Sequence, residues 1–166
     1  MSDPDWHIAP LTVDDADELG EVHVRVWQET YAGIMPADFL ASLDPRSRAE
    51  MWRTRAASPC TDGQTLVARG RDGRIVGFIS VGPSRDEDAP TRDELYVINL
   101  LARAQGTGLA QQLLERGLGD RDATLWVAED NRRARRFYVR NGFAAEGARK
   151  HHPGSDAPEI RMIRRR

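Results

Sequence analysis

Between Glu94 and Leu101 the chain reads Glu-Leu-Tyr-Val-Ile-Asn-Leu-Leu, a nearly continuous apolar run. A strand apolar on both faces must be covered on both faces, so this run belongs at the centre of a sheet with helices packed on its two sides. The fold has to be built around that strand and around the stretch that follows it, Gln105-Gly106-Thr107-Gly108-Leu109-Ala110, where strand hands over to helix.

Upstream, residues 6 to 11 read as a short first strand. Thr12 ends it and opens a helix to about Tyr31: Thr12-Val13-Asp14-Asp15 has the capping-box form with Asp in place of Glu, and its acids suit the positive helix end. Ala16, Leu19, Val22, Val26 and Trp27 recur along it as one apolar stripe, and Gly33 breaks it. Shorter helices are expected near 36 to 42 and 45 to 57, the second capped by Asp44 with Pro45 in its first turn. Gln64–Arg69 and Arg74–Val81 form a hairpin across Asp72-Gly73, followed by an acid-rich loop from 83 to 94.

Downstream come a helix from Gly106 to about Leu118, a strand from Thr124 to Ala128 and a helix over 132 to 140 that Asn141-Gly142 terminates. Two closing strands, Phe143–Ala148 and Glu159–Ile163, flank a polar loop from His151 to Pro158. The order β, helices, β, β, β, α, β, α, β, β gives an α/β (mixed α+β) architecture. With 166 residues the chain is expected to be one domain, 1–166.

Composition removes several classes of function. At 40% hydrophobic and 30% charged residues the chain can bury a core, which sets disorder aside. Nothing approaches the roughly 18 apolar residues of a membrane span, and Met1-Ser2-Asp3-Pro4-Asp5 is acidic rather than a signal, so a cytoplasmic protein without a membrane partner is expected. Lys and Arg total 24 against 26 Asp and Glu; a net charge of -2 argues against a nucleic-acid partner. Cys60, the only cysteine, sits between Pro59 and Thr61 with no neighbouring His and reads as inert. His7, His23 and the pair His151-His152 lack metal-ligand spacing, so no metal is assigned.

The turn at 105 to 110 carries most of the functional information. Glycines let a backbone approach a ligand closely, and the unpaired N–H groups of a first helical turn suit an anion such as a pyrophosphate; a merely tight strand-to-helix connection explains the spacing nearly as well. A P-loop would need Lys where Leu109 stands, and a dinucleotide fingerprint should follow the first strand of its unit.

At this turn the chain resembles the GNAT superfamily of N-acetyltransferases. That family's acyl-CoA motif is Gln or Arg, two residues, Gly, one residue, then Gly or Ala, and Gln105-Gly106-Thr107-Gly108-Leu109-Ala110 satisfies every position. Glu94–Leu101 looks like the family's splayed fourth strand, although Ala102 stands where many relatives have Pro. Asn131, Ala134, Phe137, Tyr138 and Gly142-Phe143 resemble its second signature, and Trp27-Gln28-Glu29-Thr30-Tyr31-Ala32-Gly33-Ile34-Met35-Pro36 is similar to the first-helix region of many bacterial members.

The resemblance implies a central mixed, mostly antiparallel sheet of six to seven strands, flanked by about four helices and splayed between the fourth and fifth strands. It implies an enzyme that transfers an acetyl group from acetyl-CoA to a primary amine of a small molecule or peptide, by direct attack in a ternary complex. Main-chain N–H groups of Gln105, Gly106, Thr107, Gly108, Leu109 and Ala110 would hold the pyrophosphate. Ile98, Asn99 and Leu100 would offer main chain to the pantetheine arm, with an N–H near Leu100 polarising the thioester carbonyl. Tyr138 would protonate the departing thiolate, and Asn131, a helix cap on its own reading, would also reach the pantetheine. Trp27 and Tyr31 would wall the amine pocket, and homodimers are common among such proteins.

Each role has a plainer alternative. Tyr138 has the alternative of a helix aromatic packing beside Phe137, the motif favouring the acid, and Trp27 and Tyr31 read equally well as part of a core stripe. Glu94 is the first candidate for general base, against a solvated strand-end charge, with Glu129 second and a water chain third. Asp86, Glu87, Asp88, Asp93 and Glu94 form an acidic rim expected to attract cationic amines such as polyamines, aminoglycosides or basic peptide ends. Arg132, Arg133, Arg135 and Arg136 read as a solvated helix face, one of them available to the cofactor's adenosine phosphate. A noncatalytic acyl-CoA-binding module on the same fold is the alternative function.

Overall fold

The central run forms the strand β4 (Asp93–Leu100) of a seven-stranded sheet, in a computed structural model that describes residues 6–58 and 63–166. Met1–Asp5 and Cys60 lie outside the described residues. In chain order the elements are β1 (His7–Pro10), α1 (Ala16–Tyr31), α2 (Ala37–Ala41), α3 (Pro45–Ala57), β2 (Gln64–Arg69), β3 (Ile75–Pro83), β4, α4 (Leu109–Gly117), β5 (Ala123–Ala128), α5 (Arg132–Arg140), β6 (Ala144–His151) and β7 (Pro158–Arg164). Single 3-10 turns occupy Val13–Asp15 and Ala102–Ala104. No helix among the described residues is long and apolar enough to cross a membrane.

The sheet order is β1-β2-β3-β4-β5-β7-β6, and every neighbouring pair is antiparallel except β4 with β5. That parallel pair spans only Asp93↔Ala123, Glu94↔Thr124 and Leu95↔Leu125. Beyond it β4 stays with β3 as far as Leu100, while β5 continues on β7 as far as Ala128↔Glu159. The sheet is therefore split from Tyr96 onward.

Side chains alternate across a strand, so successive residues of β2 report its two faces. Leu66 and Ala68 pack with Leu109, Leu113 and Leu114 of α4 and with Tyr138 of α5. Val67 between them packs with Ala16, Leu19 and Val22 of α1 and Trp52 of α3. Helices α4 and α5 thus cover one face and α1 and α3 the other. A third cluster, Met35, Leu40 and Ala157 with Trp27, Tyr31 and Phe39 against it, packs α2 on the segment before β7.

The cap chemistry explains most boundaries. Asp15 accepts the Thr12 N–H at 2.8 Å, but the first turn there is 3-10 and the α-helix begins at Ala16. Asp44 accepts the N–H groups of Arg46 and Ser47, both at 3.2 Å, at the start of α3. The expected start of the next helix at Gly106 is corrected to Leu109, because Gly106 and Gly108 hold φ of +76° and +87°, outside the helical region. The first closing strand runs to His151 rather than Ala148. It is an edge strand with both faces largely exposed, so it lacks the apolar alternation that marks a half-buried strand.

Candidate active site

A cleft of about 1230 Å³ lies where β4 and β5 part. The walls include Ile98, Asn99 and Leu100 of β4, Gln105, Gly106, Gly108 and Ala110 of the turn, Asn131 and Tyr138 at the two ends of α5's signature, and Trp27 and Tyr31 of α1. Glu94 also reaches it. The cleft has one side on the α4/α5 face of the sheet and the other on the α1/α3 face.

Strand alternation determines which backbone groups of β4 face the gap. The Leu101 N–H donates to Val76 O at 2.8 Å, toward β3; counting back in twos, Asn99 and Val97 face β3 as well. The N–H groups of Ile98 and Leu100 therefore face the gap, where β5 no longer pairs. At the end of the strand the Gln105 amide Nε2 donates to Leu100 O at 3.2 Å, and its Oε1 accepts from Arg133 Nη1 at 2.5 Å, so Gln105 ties the strand end to α5.

Around the turn, a Cβ built on Gly106 or Gly108 would meet nothing within 4 Å, so the space above both glycines is open. The N–H groups of Gly106, Gly108 and Ala110 have no acceptor among the described residues. Thr107 and Leu109 are turned the other way: Thr107 Oγ1 donates to Ala104 O at 2.7 Å and accepts the Leu109 N–H at 3.4 Å, and the Leu109 side chain is wholly buried. An open concavity lined by free N–H groups at the positive end of α4 fits the pyrophosphate of a CoA thioester.

Tyr138 is positioned by both ends of its helix. Asn131 Oδ1 caps α5 by accepting the Ala134 N–H at 3.2 Å. At the other end Gly142, at φ +88°, allows Phe143 N–H to bond Tyr138 O at 3.0 Å and Gly142 N–H to bond Val139 O at 3.1 Å, a Schellman closure. The Phe143 ring then packs 5.8 Å from that of Tyr138. Tyr138 is 8% exposed and belongs to the core, yet it also lines the cleft, so packing and exposure to a ligand coexist in one side chain. Burial first, then the neighbouring Tyr31, pushes its pKa well above the ordinary phenol value, so it is a proton donor at neutral pH. Tyr31 is pushed up to about 12 by burial and by Glu159, with the Asn131 side chain pulling the other way.

Three of the cleft's chemically interesting residues escaped the sequence reading. Glu159, near the start of β7, lines the cleft and makes no side-chain hydrogen bond or ion pair among the described residues. Burial raises its pKa above the usual carboxylate value, against the opposing charges of Lys150 and Arg85. His152 packs its ring 5.4 Å from Trp27 and 5.6 Å from Phe39, and burial, then Lys150 and Arg48, lowers its pKa. Arg48 of α3 stands over the Trp27 ring, 5.6 Å from its centroid. No local motif marks any of the three; each reaches the cleft through the fold.

Glu94 is 1% exposed and its carboxylate is engaged: Oε2 accepts the Arg85 N–H at 2.9 Å and Oε1 accepts Arg85 Nη2 at 2.6 Å. Glu129 is paired with Arg149 and is absent from the cleft wall. The expected acidic rim needs correction on the same grounds. Asp86 and Asp88 bind Arg161 at 3.2 and 2.9 Å, and Asp86 also accepts the Trp126 indole N–H at 2.8 Å. Asp93 pairs with Arg121 at 3.1 Å. Four of the five acids thus have arginine partners, and their field is largely spent inside the fold. Of the α5 arginines, Arg133 alone of Arg132, Arg133, Arg135 and Arg136 lines the cleft, and Arg135 bonds Glu129 O at 2.9 Å.

The Acetyltransferase (GNAT) family profile matches residues 26–143. The chain is 33% identical over 125 residues to the uncharacterized N-acetyltransferase YuaI of Bacillus subtilis (strain 168), covering 72% of this chain and 69% of that protein. It is 32% identical over 142 residues to the uncharacterized N-acetyltransferase Rv2669 of Mycobacterium tuberculosis (strain ATCC 25618 / H37Rv), covering 81% and 86%. Among solved structures, the PaiA N-acetyltransferase of Thermoplasma acidophilum, in complex with coenzyme A, shares the fold at a TM-score of 0.72 and 24% identity, over 97% of this chain and 99% of that one. The split sheet, the glycine turn at its mouth and these relationships have one reading in common: the chain belongs to the GNAT family of acetyl-CoA-dependent N-acetyltransferases.

Proposed function

We propose that the protein transfers the acetyl group of acetyl-CoA to a primary amine by direct attack while both are bound. The observation that carries this reading is the loss of β4–β5 pairing after Leu95, beside a buried tyrosine and above a turn with free N–H groups. The donor supplies an acyl group already activated as a thioester; the chain holds it, polarises it and moves two protons.

The turn at Gly106, Gly108 and Ala110 binds the pyrophosphate, Arg133 lies near enough to meet a cofactor phosphate, and Asn131 stands beside the pantetheine path. Ile98 and Leu100 present main-chain groups to the arm as an added strand, Asn99 lining the wall between them, and one of their N–H groups meets the thioester oxygen as it gains charge. The amine enters from the α1/α3 face, past Trp27 and Tyr31. Glu159, more basic than an ordinary carboxylate and without a hydrogen bond or ion pair among the described residues, takes the amine proton; this role passes from Glu94 because both Glu94 oxygens are held by Arg85. As the N–C bond forms and the C–S bond breaks, Tyr138 gives its proton to sulfur.

The test is thiol release from acetyl-CoA over a panel of amines, with binding of acetyl-CoA measured separately by calorimetry. Binding together with amine-dependent thiol release is the expected result. Binding with no turnover of any amine supports the noncatalytic module instead.

A further inference from the structure

Arg48 is a cation without a counter-charge among the described residues. Its side chain makes no hydrogen bond or ion pair with any described residue, and burial lowers its pKa with no carboxylate opposing the effect. Other enclosed arginines are provided for: Arg69 and Arg161 by carboxylates, Arg164 by the carbonyls of Gly119 and Arg121. The titratable groups that feel Arg48 are His23 and His152, both shifted toward the neutral form by burial first. Leaving a guanidinium half-buried and unpaired costs free energy that an anion bound beside it would return.

The rest of that side of the cleft has the same sign. Arg55 donates to the neutral Thr65 hydroxyl at 3.0 Å and stands over the neutral Tyr96 ring, 5.1 Å from its centroid, and Lys150 rests 4.2 Å from the Trp126 ring centroid. Against these cations, Glu94 and Asp86 are already occupied by arginines, and among the described acids of the cleft wall Glu159 alone remains. Because α3 and α4 cover opposite faces of the sheet, the pyrophosphate cradle is not Arg48's missing partner. Trp27 touches both Arg48 and Tyr31: its ring centroid is 4.9 Å from that of Tyr31 and 5.6 Å from the Arg48 guanidinium carbon.

We propose that the acceptor amine carries an anionic group of its own, a carboxylate or a phosphate, seated on Arg48, with the body of the molecule lying along Trp27 and His152. This rests on the transferase reading of the cleft and reverses the preference for polycations that the acidic rim suggested. In this arrangement the anion on Arg48 and the nitrogen at the Tyr31 end of the cleft are held on either side of the Trp27 ring, whereas a free α-amino acid separates its nitrogen from the carboxyl carbon by only about 2.5 Å. The fitting class is therefore a short peptide, an ω-amino acid or an aminoalkyl phosphate.

The experiment compares kcat/KM for matched acceptors: a dipeptide as free acid and as C-terminal amide, an aminoalkyl phosphate and its parent amino alcohol, and a diamine of similar length. At least one anionic acceptor should exceed its neutral counterpart by roughly 10- to 100-fold, the worth of one charged hydrogen-bonded pair. The carboxylate and phosphate arms identify which anion it is. Arg48→Gln should close that gap, Arg48→Lys should restore part of it, and Arg48→Glu should shift preference to the diamine. Acetyl-CoA affinity, measured on each variant, should stay at the wild-type value, and the melting temperature of Arg48→Gln should not fall, since Arg48 makes no hydrogen bond or ion pair with a described residue. Equal use of acid and amide and of phosphate and alcohol, or a gap that survives Arg48→Gln, overturns the proposal while leaving the transferase reading intact. Turnover with none of the acceptors overturns both.

Discussion

Gly106 and Gly73 provide a matched pair for testing what the turn after β4 is for. Both hold left-handed backbone, at φ +76° and +74°, and a Cβ added to either meets nothing within 4 Å. Alanine at either position therefore carries backbone strain of about 1–2 kcal/mol and no steric clash within the chain. For a protein of this length each kilocalorie lowers the melting temperature by roughly 2–4 °C, so the two variants should melt at similar, slightly reduced temperatures. They differ in position, because Gly73 sits in the β2–β3 hairpin turn and Gly106 in the cleft wall. In Gly106→Ala the new methyl stands in the open space above the turn, and relaxation of φ swings the N–H groups away from it. Losing one or two N–H bonds to a phosphate, at about 1.5–3 kcal/mol each, weakens acetyl-CoA binding at least 10-fold. Calorimetry with acetyl-CoA on both variants decides the matter, with thermal unfolding as the control. A dissociation constant for Gly106→Ala within about twofold of that for Gly73→Ala would show that the glycines serve only the turn, and would refute the cradle.

Tyr138→Phe keeps the ring between Phe137 and Phe143 and removes the proton. Turnover should fall about 10²-fold with acetyl-CoA affinity unchanged, and undiminished turnover with acetyl transfer shown to be rate-limiting removes its role as acid. For Glu159 the folded pKa lies above the ordinary 4.5, so wild-type kcat/KM should rise with pH through that raised value, and Glu159→Gln should lack this limb; an unaltered profile excludes it as base. The same shift means that the folded state binds the Glu159 proton more tightly than the unfolded state, so its contribution to stability is present at low pH and lost as pH rises through the folded value. Glu159→Gln should therefore be slightly more stable than wild type at neutral pH, as read by urea denaturation, and a marked loss of stability contradicts the assignment. His23, whose Nδ1 accepts the Trp52 indole N–H at 3.1 Å, has its pKa lowered from 6.5 to about 3 by burial first and Arg48 second. Unfolding releases it to bind a proton, so stability should fall as pH drops from 6.5 toward 3, by at most about 1.4 kcal/mol per pH unit from this group; His23→Gln should flatten that slope, and an unchanged slope contradicts the burial argument.

The strands and helices that carry strong local signals were readable in the sequence. Asp44-Pro45 marks the start of α3, Asn141-Gly142 the end of α5, and the apolar run marks β4 to within one residue at each end. The glycine turn and Tyr138 were readable because their chemistry is written in contiguous residues. The acidic loop misled because the charges that answer it come from far along the chain: Arg161 reaches Asp86 across 75 positions and Asp88 across 73. Glu159, His152 and Arg48 were missed for the same reason. Their neighbours in space are Tyr31, Trp27 and His23 on α1, and no periodicity relates α1 to β7. The C-terminal half of the edge strand β6 is not legible because a polar, two-sided strand has no pattern to read.

The central claim is that the gap between β4 and β5 receives the pantetheine arm as an additional strand. Amide hydrogen exchange, resolved by residue with and without acetyl-CoA, tests it most directly. The N–H groups of Ile98 and Leu100, which face the gap, should exchange markedly more slowly once acetyl-CoA is bound, while Asn99, already bonded toward β3, should change little. Saturating acetyl-CoA that leaves Ile98 and Leu100 exchanging at their unliganded rates would contradict the account.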